Sequence, residues 1–544
     1  MDASSTARRR NGVFRCPVTR GGKFGAAPNL AKRKTRGGFT SLSSFAVVRP
    51  RIAELRPRKG GVAAVCEHLL KPGAAWSPTP RYCDESQRVV LLEAGPALGG
   101  WVRSSRSPHG AVSELGPRSV RPNGLVGGNT LRMLSDLGLS DSVLPVTRAS
   151  PAAKNRFVFT GGTLHPLPNS LWAALSRRPP FSRPLAWHVL REPFVRGGGD
   201  GSGGDDFSVD TLARHRLGDE LADWLLDPLC RGVFAGDSRR LSVRSCFPAL
   251  YRAVTLHGSI VGGSLLSREP DDPAISSNEL VKRSRRERWA MWSLREGMGS
   301  LPNALGAFLE GRGVEVLTNA AVRRIDFTGD RRATVEFDGD TITVDHIIST
   351  LPARALSPLL PADLSALRED LRRIRSVTVA VVNLEYPGRV LPVQGFGHLL
   401  PSSESGPVLG VVYDSALFPE HDRRDAESTR LTVMLGGAWF EEAYGGLGAG
   451  EGELESLLAD AAEGAVRSQL GVDVRPASTT VSLNQDCIPQ YEVGHWKIME
   501  RIAGEVGSRR LPLSLTGASF NGVSINDCVF NAAAAVATLL RTHA

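Results

Sequence analysis

The stretch RVVLLEAGPALGGW, residues 88–101, constrains this chain more than any other. An apolar run that ends on Glu93 and is followed by Gly99, Gly100 and Trp101 suits the second strand of a dinucleotide-binding βαβ unit. There the carboxylate takes ribose hydroxyls, and the glycines let the backbone pass close to a pyrophosphate. An acidic residue after a strand is also an ordinary turn, so the neighbouring motifs decide between the two. ELGPRSVRP (114–122) offers Gly116, Pro117, Arg118, Ser119 and Arg121: Gly and Pro fix a loop, and guanidinium groups fork onto phosphate or carboxylate. REGMGSLPNAL (295–305) adds a Gly-rich entry to a helix, and TGASFNGVSINDC (516–528) reads as a strand, a Gly turn and a helix beginning near Asn526. Free N–H groups at that helix start would stabilise negative charge on a reduced flavin ring.

At 544 residues the chain exceeds the usual limit of one core, so two to four domains are expected. Its net charge of +10 is unevenly placed. Residues 1–60 hold 15 Lys and Arg against two acids, Asp2 and Glu54, while the remainder has 51 basic and 54 acidic residues. The folded part is thus nearly neutral, and nothing in it reads as a nucleic-acid surface. The basic, Arg- and Ser-rich start fits a mitochondrial targeting segment, and it equally fits a disordered basic tail or a stretch foreign to the folded protein. Seven cysteines are scattered without close pairs and no HExxH occurs, so neither a disulfide framework nor a metal site is expected. No apolar run reaches the roughly 18 residues needed to span a bilayer.

Strand and helix patterns interleave, which favours an α/β fold with a mixed-sheet insert. Helices are expected in 219–236 as far as Gly232, in 300–313 with Gly313 past the end, in 455–471 ended by Gly471, and over 527–541, and strands over 313–329, 332–352 (with DGD as a hairpin turn), 375–386 and 511–520. GGGDGSGG (197–204) reads as a flexible surface connection. PNSLWAALSRRPPFSRPLAWHVLREPF (168–194) makes short helical pieces with apolar faces, which suit core packing or a lipid surface.

From Arg88 to Cys528 the chain resembles the protoporphyrinogen oxidases of the mitochondrial animal type, within the flavin amine oxidase superfamily. The resemblance rests on VVLLEAGPALGGWVRS, ELGPRSVRP, AAKNRFVF, LCRGVFAGDSRRLSVRSCFPAL, REGMGSLPNAL, LPVQGFGHLLPSSE, VLGVVYDS, CIPQYEVGHW and GASFNGVSINDC. It implies an FAD-binding, Rossmann-like domain assembled from 61–150, 293–352 and 483–544. It further implies a helical membrane-associating domain at 151–255, a mixed-sheet substrate domain at 256–292 and 353–482, and a disordered or targeting segment at 1–60. The implied reaction is the six-electron oxidation of protoporphyrinogen IX to protoporphyrin IX, the penultimate step of haem synthesis, with three O2 becoming three H2O2. The implied setting is the intermembrane-space side of the inner mitochondrial membrane, as a homodimer in contact with the next enzyme of haem synthesis.

Carried over residue by residue, Glu93, Gly99, Gly100, Trp101, Gly116–Ser119, Val322 (through its backbone, on the adenine side), Asn484, Val523, Ser524 and Ile525 fall at FAD. Arg156 falls where the family holds a substrate propionate. Gly395, Phe396, Gly397, Leu399, Val411 and the following Tyr413 fall on the pocket walls. No general base is evident.

Three departures stand out. The G-x-G-x-x-G turn is missing: the nearest candidate is FAVVRPRIAELRPRKGGVAAVCEHLL (45–70), in which Gly61 suits the last glycine but Arg56 and Arg58 occupy the first two positions. Asn484 stands where much of the family has Trp. VFNAAAAVATLL (529–540) replaces a Gly-containing helix. The expectation is a family member whose first βα unit has been replaced. A catalytically impaired variant or flavin-free porphyrin binder, another amine-oxidase-type enzyme and a membrane-binding structural protein are the rival readings.

Overall fold

Val89–Leu92 lie between two strands, and each unpaired backbone group there would cost free energy, so the chain builds a five-stranded sheet around them. The computed structural model describes residues 44–50, 87–195, 205–266, 272–329, 331–445 and 450–543. The sheet runs in the order Leu513–Leu515, His346–Ser349, Ser44–Pro50, Gln87–Glu93, Glu315–Leu317. The outer pairs are parallel, as a dinucleotide fold requires. The central strand Ser44–Pro50 is antiparallel to both neighbours, with Phe45 opposite Leu92 and Ser349. A βαβ crossover joins parallel strands, so this strand cannot open one into Gln87–Glu93. The expected strand at 45 therefore exists but points the wrong way for a pyrophosphate turn. Arg56, Arg58, Gly61, the remainder of the candidate βα unit and the 197–204 stretch lie outside the described residues.

Beside this sheet, Val322–Phe327, Ala333–Phe337 and Asp340–Val344 form a small antiparallel sheet, hairpinned at Asp338-Gly339 as the DGD signal indicates. Leu92, Ile325, Val335 and Ile347 share its core. The second large sheet has seven strands in the order Ser478–Pro489, Ser376–Pro387, Ser428–Gly437, Val408–Val412, Gly397–Leu399, Phe157–Thr160, Thr163–Pro166. Alternation along Ser376–Pro387 sends Ala380, Val382 and Leu384 under the helix Glu451–Leu470, and Val379 and Val381 to the opposite face, against Trp101.

Two domain boundaries shift. Strands Phe157–Thr160 and Thr163–Pro166, expected in the helical part, complete the seven-stranded sheet. Helix Glu279–Arg286 and strand Trp289–Leu294, expected in part with the substrate domain, pack with helix Gly124–Asp136 around Leu131, Leu134, Val281 and Trp292. The helix expected to run to Gly232 is one helical run, Asp219–Val233, interrupted by a π turn at Ala222–Leu226, and the strand expected over 511–520 shrinks to Leu513–Leu515. Among the described residues no helix is long and apolar enough to cross a membrane, and no cluster of side chains could hold a metal.

Candidate active site

At the nucleotide end, the buried Glu93 carboxylate accepts the Gly95 N–H at 2.8 Å and projects from the end of its strand. Its carbonyl accepts the Ala320 N–H at 2.8 Å, which brings the strand beginning at Val322 alongside. Gly99 has φ +110°, and a Cβ there would lie 2.7 Å from Pro302 Cγ and 2.9 Å from the Val102 carbonyl oxygen. The turn thus sits directly on the helix Ser300–Glu310, an approach only glycine permits. Gly116 is tighter still, since its Cβ would fall 2.1 Å from the Trp101 carbonyl oxygen. The GGW turn and the GPR loop therefore form one unit.

On the far side of Trp101, a cavity of about 200 Å³ is bounded by Gly99, Thr350, Thr516, Gly517 and the side of the helix Ile525–His543 at Cys528. Trp101 Nε1 and Thr516 Oγ1 are buried at this place without a hydrogen-bond partner, as a polar ring system placed there would require. Val523, Ser524 and Ile525 lead into the same helix, and Asp527 Oδ2 accepts from the Ser524 hydroxyl at 2.6 Å. Asn484 donates from Nδ2 to the Leu115 carbonyl at 2.9 Å and keeps Oδ1 unpartnered, so it fastens the GPR loop from the seven-stranded sheet. The residues present thus fit the ribose and ring portions of FAD, while the diphosphate turn has no counterpart among the described residues.

The second cavity, about 510 Å³, lies between the seven-stranded sheet and the helical region and is mainly apolar. Phe396, Gly397, Leu399 and Val411 border it with Leu229 and Val233 opposite, and Arg118, Ser119, Arg121, Lys154 and Arg156 supply its polar part. Val411 borders it although its side chain packs under the helix Glu451–Leu470. Two expected wall residues do not line it. Gly395 is pressed against the strand behind, where a Cβ would meet Phe157 Cε2 at 2.6 Å. Tyr413, just past the strand Val408–Val412, turns with Val411 to the helix-covered face and meets His398 Nδ1 at 2.8 Å. Arg118, expected at the cofactor, also borders this second cavity. Its Nη1 donates to Asp414 Oδ1 at 2.8 Å, while Nε and Nη2 remain buried without a partner.

Helix Asp227–Val233 is locked to the cavity wall. Arg231, fully buried, donates to the Pro401 and Gly406 carbonyls, each at 2.7 Å, and Asp227 accepts the Ser402 N–H at 2.6 Å. Close approach to Leu399 leaves room for Gly232 alone, whose Cβ would stand 2.4 Å from Leu399 Cδ2. No carboxylate lines the cavity among the described residues. His398 is no base for it either: both ring nitrogens are engaged, by Tyr413 and by Gln469, and burial lowers its pKa to about 4.

Glu114 was not legible as a functional residue. Buried beside Arg118, it accepts the Ser104 hydroxyl at 2.6 Å and the Met298 N–H at 2.8 Å, joining the GPR loop to the Gly-rich helix entry. Burial raises its pKa from the usual 4.5 to about 7, although both hydrogen bonds and Arg118 pull the other way. The folded state then holds a proton that the unfolded chain has lost, so stability is greatest below pH 4.5 and falls as pH rises through about 7. The full swing is about 3 kcal/mol. Urea unfolding of wild type against Glu114→Gln between pH 5 and 8 should show the wild type losing ground steadily; parallel pH profiles would rule this out.

Residues 83–540 match the family described as flavin containing amine oxidoreductase. Protoporphyrinogen oxidase from Bos taurus is 47% identical over 458 residues, covering 84% of this chain and 94% of that protein. The Homo sapiens protein of the same name is 46% identical over 460 residues, again covering 84% and 94%. A putative protoporphyrinogen oxidase structure from Exiguobacterium shares the fold at a TM-score of 0.64 and 21% identity, over 83% of this chain and 92% of that one. The fold, matched to that family over residues 83–540, is that of a flavin-dependent oxidoreductase, in a class whose cofactor is FAD. Within that class the chain belongs to the protoporphyrinogen oxidase family.

Proposed function

We propose that this chain oxidises protoporphyrinogen IX to protoporphyrin IX, removing six electrons as three O2 are reduced to three H2O2. The observation that carries this is the 510 Å³ apolar cavity, large enough for a folded macrocycle, with cations and no acid among the described residues of its lining. FAD, when bound, supplies the hydride acceptor and the route of electrons to O2. The chain's own residues do the remaining work. Arg156 holds a propionate, Phe396 and Leu399 exclude water from the macrocycle, and the buried Arg118–Asp414 pair fixes the wall nearest Ser119. With no carboxylate among the described residues of the lining, proton loss from the substrate goes to solvent or between its own pyrroles.

We place the protein on the inner mitochondrial membrane, facing the intermembrane space. The basic start of the chain supports the compartment, and a contiguous apolar surface supports the membrane contact. Trp172 (81% exposed), Phe194 (83%) and Leu265 (82%) lie on neighbouring helical pieces, with Leu171 and Leu190 beside them. Arg183 stacks within 5.7 Å of the Trp187 ring, in reach of headgroups.

The deciding experiment is reconstitution. Chain refolded with FAD should show flavin absorbance and consume three O2 per porphyrin formed. Because the central strand is reversed, flavin occupancy should be low, and restoring a Gly-rich turn ahead of Gly61 should raise it. A folded chain that cannot be loaded with FAD in either form would end the enzymatic reading while leaving its family membership intact.

A further inference from the structure

The cation set of the large cavity exceeds what one carboxylate requires. Four basic side chains border it, Arg118, Arg121, Lys154 and Arg156, and among the described residues no Asp or Glu does. Arg118 is neutralised by Asp414 at 2.8 Å. The other three form no ion pair with any described residue. They come from two segments that the fold brings together: the loop after GPR, and the end of the short helix Pro151–Lys154 running into strand Phe157–Thr160. Partial desolvation first, and the like charge of Arg121 second, lower the pKa of Arg156. Holding like charges together without a counter-charge costs free energy in the empty protein, and an anionic ligand recovers it.

Both guanidinium groups hang from fixed backbone. The Arg121 carbonyl accepts Asn526 Nδ2 at 2.8 Å, tying it to the start of the C-terminal helix. Gly127 packs so closely that a Cβ would lie 2.8 Å from that same Arg121 oxygen. The Arg156 carbonyl accepts the Leu167 N–H at 2.8 Å, and its guanidinium lies 5.9 Å from the Phe396 ring centre. Two rigidly based forks at one opening match a ligand with two carboxylates on neighbouring positions of its rim.

We infer that Arg121 binds the second propionate of the macrocycle, so that the site reads a dicarboxylate, with Arg156 holding one group and Arg121 the other. This rests on the porphyrin reading and deepens it. Attachment at one carboxylate leaves the macrocycle free to swing about that contact, whereas attachment at two fixes which edge enters the cavity. Arg121 takes the role rather than Lys154 because a planar guanidinium engages a carboxylate through two parallel N–H donors.

The test uses the full chain and needs no turnover: binding of protoporphyrin IX, and of its dimethyl ester, followed by quenching of tryptophan fluorescence. Wild type should prefer the diacid. Arg121→Gln should weaken diacid binding about tenfold and leave the ester unchanged, which also shows the variant is folded. Arg121→Lys should recover part of the loss, and Arg121→Gln with Arg156→Gln should lose about a hundredfold if each fork holds its own carboxylate. An unchanged preference for the diacid in Arg121→Gln, alongside a loss in Arg156→Gln, would establish a single-carboxylate site and overturn the inference. Equal weakening of diacid and ester in Arg121→Gln would also overturn it, since the effect would not be carboxylate recognition. Failure of both porphyrins to bind wild type would remove the porphyrin reading itself, and this inference with it.

Discussion

Asp414→Ala should lower the unfolding free energy by about 3–5 kcal/mol, the cost of leaving a buried cation without its partner. Arg118 and Asp414 are both almost fully shielded from water, and Asp414 Oδ2 also accepts the Thr432 hydroxyl at 2.6 Å. Removing the carboxylate strands a guanidinium whose Nε and Nη2 already lack protein partners. The double variant Arg118→Met with Asp414→Leu should restore most of the stability, because replacing a whole buried pair by apolar groups is nearly neutral. It should not restore function. Arg118 lines the large cavity beside Ser119, two residues after the Gly116 that packs on Trp101, and its loss removes a cation from that lining. Urea unfolding of the three proteins decides this: a loss below 1 kcal/mol in Asp414→Ala would mean that water reaches the pair.

That pair also shows why part of the site escaped the sequence. Arg118 was singled out from GPRS, but its partner lies 296 positions away and neither local spacing nor periodicity marks such a match. What was legible is local. Glu93 ends its strand, Gly99 and Gly116 stand where a side chain would collide with backbone, and Gly471 in the left-handed region ends the helix Glu451–Leu470. The wall residues Phe396, Gly397 and Leu399 were legible from resemblance, and the structure gathers them at one cavity. Tyr413 was misplaced because face assignment depends on which side of the strand the covering helix occupies, a fact of tertiary packing. The reversed central strand is the same kind of fact. Its apolar residues state that it belongs in a sheet, but direction is set by the connection that precedes and follows it. The domain limits at 256–292 shifted for a related reason: Trp289 and Trp292 are core residues of whichever sheet receives them, and the sequence pattern alone does not choose.

Glu192→Ala should be comparably damaging, by about 3 kcal/mol or more, and it connects stability to the proposed membrane surface. Glu192 is completely buried between two apolar segments that both reach the surface. Its carboxylate accepts the Ser259 hydroxyl at 2.6 Å and the Ile260 and Val261 N–H groups at 2.8 and 3.1 Å, and it lies 3.5 Å from Arg216 Nη1. Arg216 in turn donates to the Val195 and Gly258 carbonyls, each at 2.7 Å. One ionic knot therefore holds the segment carrying Trp187, Leu190 and Phe194 against the helix carrying Leu265 and Leu266. An exposed apolar surface serves a bilayer only if its pieces keep their relative positions, since ordering them at the moment of contact would consume part of the burial free energy. Glu192→Ala should thus weaken binding to vesicles containing anionic lipid through loss of order, although no apolar surface has been removed. The complementary variant, Trp172→Ser with Phe194→Ser, removes apolar area and spares the knot. It should unfold at the wild-type urea concentration yet bind the same vesicles at least about tenfold more weakly. If the serine variant sediments with vesicles as the wild type does, the exposed aromatic residues are not a membrane contact, and the stabilising knot beneath them serves the fold alone.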